Sequence, residues 1–202
     1  DLPDDLPAAS AGLFGYLGYD MIRLVEHLPD VNPDPIGLPD AVMMRPSVVA
    51  VLDGVKGEVI LVSPVFQSSG LSAKAAYAQA AERVQDALRD LERQPATSHD
   101  LGETAEIGAP VSNFAHDDYL AAVETAKEYI RAGDIFQVEP SQRWTQDFPL
   151  PPFALYRSLR RMNPSPFMFF FNFGGFQVIG ASPEILVRVF GREVTIRPIA
   201  GT

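Results

Sequence analysis

One stretch of the sequence decides the fold: residues 163–184 run Asn-Pro-Ser-Pro-Phe-Met-Phe-Phe-Phe-Asn-Phe-Gly-Gly-Phe-Gln-Val-Ile-Gly-Ala-Ser-Pro-Glu. The two prolines fix a rigid bend before an aromatic strand. Phe-Gly-Gly-Phe at 173–176 is typical of a tight turn between two strands, and Gly191 marks a second turn. Residues 163–202 therefore predict three or four strands.

Upstream of this stretch, apolar side chains recur at helical spacing in three segments. Helices are expected at 72–93 and at 152–162, and a further helix between them has an apolar stripe from Tyr119 to Ile130. Asp117 or Asn113 is expected to cap this helix, and Gly133 to end it. Runs at 43–52 and 58–62 predict a hairpin, and residues 135–147 predict a strand. Helices followed by meandering strands predict an α+β fold, with mainly antiparallel sheets flanked by helices.

Residues 95–111 lack periodicity and mix Ser, Thr, Gly and Pro, which is typical of a linker. We expect an N-terminal-side segment at 1–112, with the hairpin and a long helix, and a second unit at 113–202. The chain starts at Asp1 without an initiator Met and stops at Thr202 just after a glycine. We therefore expect a piece of a longer polypeptide.

Composition excludes several classes of function. The 16 Lys+Arg against 26 Asp+Glu give a net charge of −10, which argues against nucleic acid or an anionic membrane as partner. No apolar run approaches the length of a membrane span. With 0 cysteines, disulfides, iron–sulfur clusters and a cysteine nucleophile are excluded, and a cytoplasmic location is expected.

General catalytic motifs are missing. The 3 histidines are scattered and form no His-Glu-x-x-His, and Gly12, Gly15 and Gly18 indicate close backbone packing instead of a phosphate loop. More specific strings lie at 135–143, at 163–168, and at 180–184 with 198–202. In the first, a strand of period 2 would put four polar side chains on one face, either lining a pocket or facing solvent: Gln137, Glu139, Ser141 and Arg143.

Together with Gly12-Leu-Phe-Gly-Tyr-Leu-Gly-Tyr-Asp20, these strings resemble the chorismate-utilising enzymes, and among them the large, chorismate-binding subunits (component I) of anthranilate synthase. The resemblance extends from residue 12 to residue 202. It implies an anthranilate-synthase-like fold that is partial here, lacking N- and C-terminal parts. On this resemblance, residues 113–202 are the first, incomplete part of the chorismate-binding catalytic domain.

The resemblance also implies a branch of the family. Isochorismate-forming members carry a lysine where this chain has Gln137, and aminodeoxychorismate synthases carry one at the position of Ala200. Glutamine cannot act as the base for water, and alanine offers no nucleophile. Pro140-Ser141-Gln142 also matches the anthranilate branch. The implied reaction joins chorismate and ammonia to give anthranilate and pyruvate, with ammonia supplied from glutamine by an amidotransferase subunit (component II).

Site residues follow from the same resemblance. The implied catalytic residues are Thr202, Gln137 and Glu184. The implied substrate-binding residues are Ala200, Gly201 and Thr202. Glu184 is either a pocket residue or a structural carboxylate, and Glu139, an unusual residue beside Gln137, either repels an anionic substrate or faces solvent. Mg²⁺ is the implied cofactor, with ligands downstream of this chain, so no metal ligand is assigned here and the isolated chain is expected to be inactive.

Tryptophan is the implied feedback inhibitor in tryptophan biosynthesis. The segment implied to contact it is Asn163, Pro164, Ser165, Pro166, Phe167 and Met168. Two alternatives stay open: another chorismate aminator, of the aminodeoxychorismate or phenazine type, and a non-catalytic tryptophan-binding or interaction module.

Overall fold

A computed structural model of the chain describes residues 2–3, 5–66, 70–93 and 107–197. The chain divides into two compact units, Asp1–Thr97 (unit 1) and Ser98–Thr202 (unit 2). These units are defined by contacts within the chain. The domain boundary expected between residues 112 and 113 stays a prediction.

Unit 1 contains two antiparallel strand pairs and one long helix. Strand β1 (Phe14–Leu17) pairs with β2 (Ala41–Met44). Strand β3 (Val49–Asp53) pairs with β4 (Glu58–Val62), which confirms the hairpin, although Met43 belongs to the separate β2 strand. Helix α1 (Ala73–Glu92) packs against β4. Short 3₁₀ helices occupy Ala8–Ser10 and Tyr19–Leu24.

Local chemistry explains these elements. The Ser72 hydroxyl caps α1 by accepting the N–H of Ala75 at 3.2 Å, and Ala76 and Ala80 form the buried stripe of the helix. Asp53 closes the β3–β4 turn by accepting backbone N–H bonds, which lower the pKa of its carboxyl. A Cβ at Gly15 would collide with the carbonyl oxygen of Val42, which confirms the close packing expected for that glycine.

Unit 2 begins with a small strand pair and a helix. Strand β5 (Val111–Ser112) pairs with β6 (Trp144–Thr145), and helix α2 (His116–Ala132) ends at Gly133, whose φ of 82° is the expected left-handed cap. The predicted side-chain cap of α2 is wrong. Ala115 occupies that position, and the Asn113 side chain instead accepts the N–H of Arg143 at 2.7 Å.

The strand predicted at 135–147 is also wrong, because only β6 is a strand in that range. A strand needs a neighbouring backbone to pair with, and β5 offers two residues for β6. Pro140 has no N–H to contribute to a ladder. The alternating residues of this segment therefore do not share a strand face.

The predicted third helix and C-terminal strands are confirmed. Helix α3 is Pro152–Met162. Strand β7 (Phe167–Asn172) pairs with β8 (Gln177–Ser182), and β9 (Arg188–Phe190) pairs with β10 (Glu193–Thr195). The described residues thus form five two-stranded antiparallel sheets with three α-helices, which confirms the α+β class.

The β7–β8 hairpin is closed by polar and aromatic contacts. Phe173 donates its N–H to the carbonyl of Phe176 at 3.0 Å, and the Asn172 side chain accepts the Gly174 N–H and the Gln177 amide, each at 3.1 Å. These bonds fix which residues of the two strands face each other.

Helix α3 covers this hairpin through an aromatic cluster. Phe153 lies 5.2 Å from Phe170 and 5.5 Å from Tyr156, measured between ring centroids. Within the hairpin, the ring of Phe169 lies over Gly180, so that a Cβ at position 180 would overlap the end of the ring and force it to move. Glycine at position 180 thus leaves room for an aromatic side chain on the neighbouring strand.

Buried residues are few. Among the described residues, Ser10, Ala76 and Ala80 are buried, whereas Phe136 is 95% and Leu186 90% exposed. Two-stranded sheets are marginal by themselves, so the packing of α1 and α3 on their hairpins contributes much of the stability of each unit.

Within the described ranges, no helix combines the length and apolar character needed to cross a bilayer.

Replacing Gly180 with alanine is expected to destabilise unit 2, because the methyl group would overlap the Phe169 ring. Overpacking of this kind costs about 1–3 kcal/mol, measurable by urea denaturation. Gly175→Ala is the matched control, since nothing lies within 4 Å of a Cβ there. Equal stability of the two variants would contradict this packing.

Candidate active site and effector pocket

The β7–β8 register brings two predicted site segments together. Phe167 faces Ser182, so Pro166, before β7, and Glu184, after β8, leave the hairpin at the same end. A cavity of about 430 Å³ lies there. Its lining residues in the described part of the chain are Pro166, Phe167, Pro183, Glu184, Ile185, Arg188 and Arg197.

The cavity has an apolar side and a charged side. Phe167 and Ile185, with the two prolines, supply the apolar wall. The charges are the half-buried Glu184 and the exposed Arg188 and Arg197. Arg188 pairs with Thr195 across the β9–β10 hairpin, which places it near the end of the strand that leads to Arg197. Such a cavity suits a small ligand with an apolar body and charged groups.

The backbone of Glu184 is held by a short turn. The Ser182 hydroxyl donates to the Glu184 carbonyl at 3.0 Å, directly after β8. This bond uses the main chain of Glu184 and fixes the direction in which the chain leaves the hairpin. The turn therefore positions Glu184 at the cavity, where it is a lining residue.

The predicted effector segment divides between two positions. Pro166 and Phe167 line the cavity. Asn163 ends α3 by donating its N–H to Leu159 at 2.8 Å, and Met168 follows Phe167 on the strand, so it points to the opposite face. The bend at Pro164 and Ser165 joins the helix end to the cavity.

Gln137 lies elsewhere in unit 2. It is exposed and donates from its amide to the Glu139 carboxylate at 3.0 Å, and it does not line the cavity. This contact places Glu139 beside Gln137, although not on a strand. Ala200, Gly201 and Thr202 lie outside the described residues, so their roles stay predictions.

The sequence patterns and the family resemblance do not predict Arg188 and Arg197 as cavity residues. The distribution of charge along the sequence does indicate a basic region that contains both arginines. From residue 148 onwards the chain carries six arginines and two glutamates, although its net charge is −10. Which of these arginines meet the cavity depends on the β9–β10 pairing, which composition does not reveal.

The described residues do not fit a magnesium site. No group of three or more His, Asp or Glu side chains that could hold a metal ion occurs among residues 2–3, 5–66, 70–93 and 107–197. No step of a reaction is therefore assigned to a metal bound by these residues.

Comparison with known proteins identifies the family. The family model of chorismate binding enzymes matches residues 2–202, so the chain belongs to that family. The anthranilate synthase component 1 of Cereibacter sphaeroides is 77% identical over 202 residues. The proteins of the same name from Pseudomonas putida and Thermus thermophilus are 46% and 42% identical, over 100% and 98% of this chain.

A solved structure gives the same result. Anthranilate synthase component I from Streptococcus pneumoniae TIGR4 superposes with a TM-score of 0.75 at 32% identity, covering 92% of this chain and 41% of that protein. The chain likewise spans only 40% of the Cereibacter and 41% of the Pseudomonas putida and Thermus relatives. The matched fold is thus about two fifths of a larger one.

Proposed function

We propose that the chain is part of an anthranilate synthase component 1, which converts chorismate and ammonia to anthranilate and pyruvate. The observation that carries this proposal is the identity of 77% to the Cereibacter protein of that name along the whole chain. Family membership alone would leave the isochorismate and aminodeoxychorismate branches open.

The residues at two positions support ammonia as the nucleophile. The amide of Gln137 donates and accepts hydrogen bonds but cannot deprotonate water, and Ala200 has no amine with which to attack. Ammonia, already nucleophilic, would add at C2 of the ring as the C4 hydroxyl leaves. Elimination of pyruvate from the resulting aminodeoxyisochorismate then gives the aromatic product.

Each of three residues has a proposed role in binding the substrate. Thr202 would hydrogen-bond the substrate near the departing hydroxyl, and Gly201 would offer its backbone N–H. Glu184 would face the substrate from the charged side of the cavity.

The remaining components are proposed from the family resemblance. They are Mg²⁺ bound by other parts of the protein, a glutamine amidotransferase subunit that supplies ammonia, and a cytoplasmic location. The isolated chain is proposed to be inactive, and its two-stranded sheets with few buried side chains support that view.

The complete protein, given chorismate, Mg²⁺ and ammonium, is expected to form anthranilate, identified by fluorescence and chromatography, and to lose activity with EDTA. Glu184→Gln should lower the rate by about tenfold or more, because it removes the carboxylate that is proposed to face the reacting substrate. Glu193→Gln is the control, because Glu193 is exposed on β10 and does not line the cavity. Isochorismate or aminodeoxychorismate as the product would contradict the proposed branch.

We further propose that tryptophan binds in the cavity at the end of β7–β8 and inhibits the enzyme. The indole would lie against Pro166 and Phe167, and the amino and carboxylate groups would face Glu184 and the arginines. Because Glu184 of this cavity is also proposed to face chorismate, tryptophan and chorismate would compete there, and each would weaken the binding of the other. The apolar wall beside charges of both signs supports this role.

Phe167→Ala should raise the tryptophan concentration for half-maximal inhibition by about tenfold, because the indole loses its aromatic contact. Phe190→Ala is a matched control: Phe190 is 74% exposed on β9 and does not line the cavity. The comparison is made in the complete protein by rate assays and calorimetry. Unchanged inhibition of the Phe167 variant would contradict this placement of the effector.

A further inference from the structure

Unit 1 contains a separate cavity of about 250 Å³, and none of its described lining residues is among those of the cavity in unit 2. It lies where β4 and the start of α1 meet the segment between β2 and β3. Its charged lining residues are Arg45 and Arg83. Its apolar lining includes Pro46, Pro64, Phe66 and Leu71.

Arg45 is oriented by an aromatic ring. Its guanidinium carbon lies 4.2 Å from the centroid of the Phe66 ring, within the range of a cation–π interaction. Arg45 forms no hydrogen bond or ion pair with a described residue. Contact with the face of a ring leaves the N–H groups at the edge of the guanidinium plane available for a ligand.

Arg83 is oriented by two consecutive hydrogen bonds through uncharged groups, called the relay below. Its Nε donates to the Ser63 hydroxyl at 3.0 Å, and that hydroxyl donates to the carbonyl of Ser47 at 2.8 Å. The relay fixes the half-buried side chain of Arg83 without neutralising its charge. Of the five N–H donors of the guanidinium, the relay uses one.

The charge of this cavity is uncompensated by its described lining. Two arginines line it, and no aspartate or glutamate is among the described lining residues, although the chain carries 26 acidic side chains. Elsewhere in unit 1, Arg23, Arg89 and Arg93 each pair with an aspartate. Preoriented guanidinium groups beside the neutral side chains of this lining, which include Ser47 and Gln79, are suited to hydrogen-bond a carboxylate or phosphate.

We propose that this cavity binds a small anionic molecule, with its carboxylate or phosphate on Arg45 and Arg83 and an apolar body against Phe66 and Leu71. The volume is below the roughly 300–1,000 Å³ of sites for drug-sized ligands, so a compound of one ring is the expected size. The proposal concerns unit 1 alone and does not depend on the proposed reaction.

The test is calorimetric titration of the complete protein with benzoate and phenyl phosphate. The controls are neutral benzamide, which keeps the ring without the charge, and inorganic phosphate, which keeps the charge without the ring. We expect both ring anions to bind and both controls to bind at least about tenfold more weakly. Binding of the anions should weaken as salt is added.

Variants assign the binding to this cavity. Arg45→Gln and Arg83→Gln should each weaken binding of phenyl phosphate by about tenfold, because each removes a charge-assisted hydrogen bond. Lys74→Gln is the control, since Lys74 is an exposed cation on α1 that does not line the cavity. Ser63→Ala should give a smaller loss, because it removes the relay and keeps both charges.

Arg45 is exposed, so Arg45→Gln tests the site even if a change at Arg83 disturbs folding. Circular dichroism and thermal melting establish that each variant is folded. Benzamide binding as tightly as benzoate, or phenyl phosphate binding to Arg45→Gln as tightly as to the unchanged protein, would overturn the proposal.

Discussion

The antiparallel pairing of β7 with β8 is the interaction on which unit 2 depends. Six residue pairs, from Phe167–Ser182 to Asn172–Gln177, fix the two strands in one register. Because the side chains of a strand alternate between faces, this register sends Phe170 toward the aromatic side chains of α3. The same register joins Pro166 and Glu184 at the open end of the hairpin. A slip of one residue would lose both the helix packing and the cavity.

Local patterns in the sequence predict most of the elements, and long-range pairing accounts for the errors. Helix α3, the left-handed Gly133 and the turn after Asn172 depend on neighbouring residues, so the sequence shows them directly. The strand expected at 135–147 depended on a partner, and β5 supplies two residues for it. The sequence predicted Pro166, Phe167 and Glu184 as site residues from family resemblance. Their meeting in one cavity comes from the register.

The net charge of the chain and the charges that line its cavities have opposite signs in places. A net charge of −10 argues against nucleic acid as partner, but it does not describe the cavities. Each of the two cavities has a pair of arginines beside an apolar wall. In unit 2 the pair lies beside Glu184, which suits a ligand with charges of both signs, whereas no acidic side chain is among the described lining residues in unit 1. The chemistry of each cavity therefore depends on its own lining residues and not on the net charge of the chain.

The most direct test of the β7–β8 register is a disulfide scan, because the chain contains no cysteine. Met168 faces Ala181, so Met168→Cys combined with Ala181→Cys should form a disulfide under mild oxidation. Met168→Cys combined with Ser182→Cys should not, because Ser182 points to the opposite face of the hairpin. Mass spectrometry of the peptides distinguishes the two. Efficient cross-linking in the second double variant and none in the first would contradict the register, and with it the cavity that joins Phe167 to Glu184.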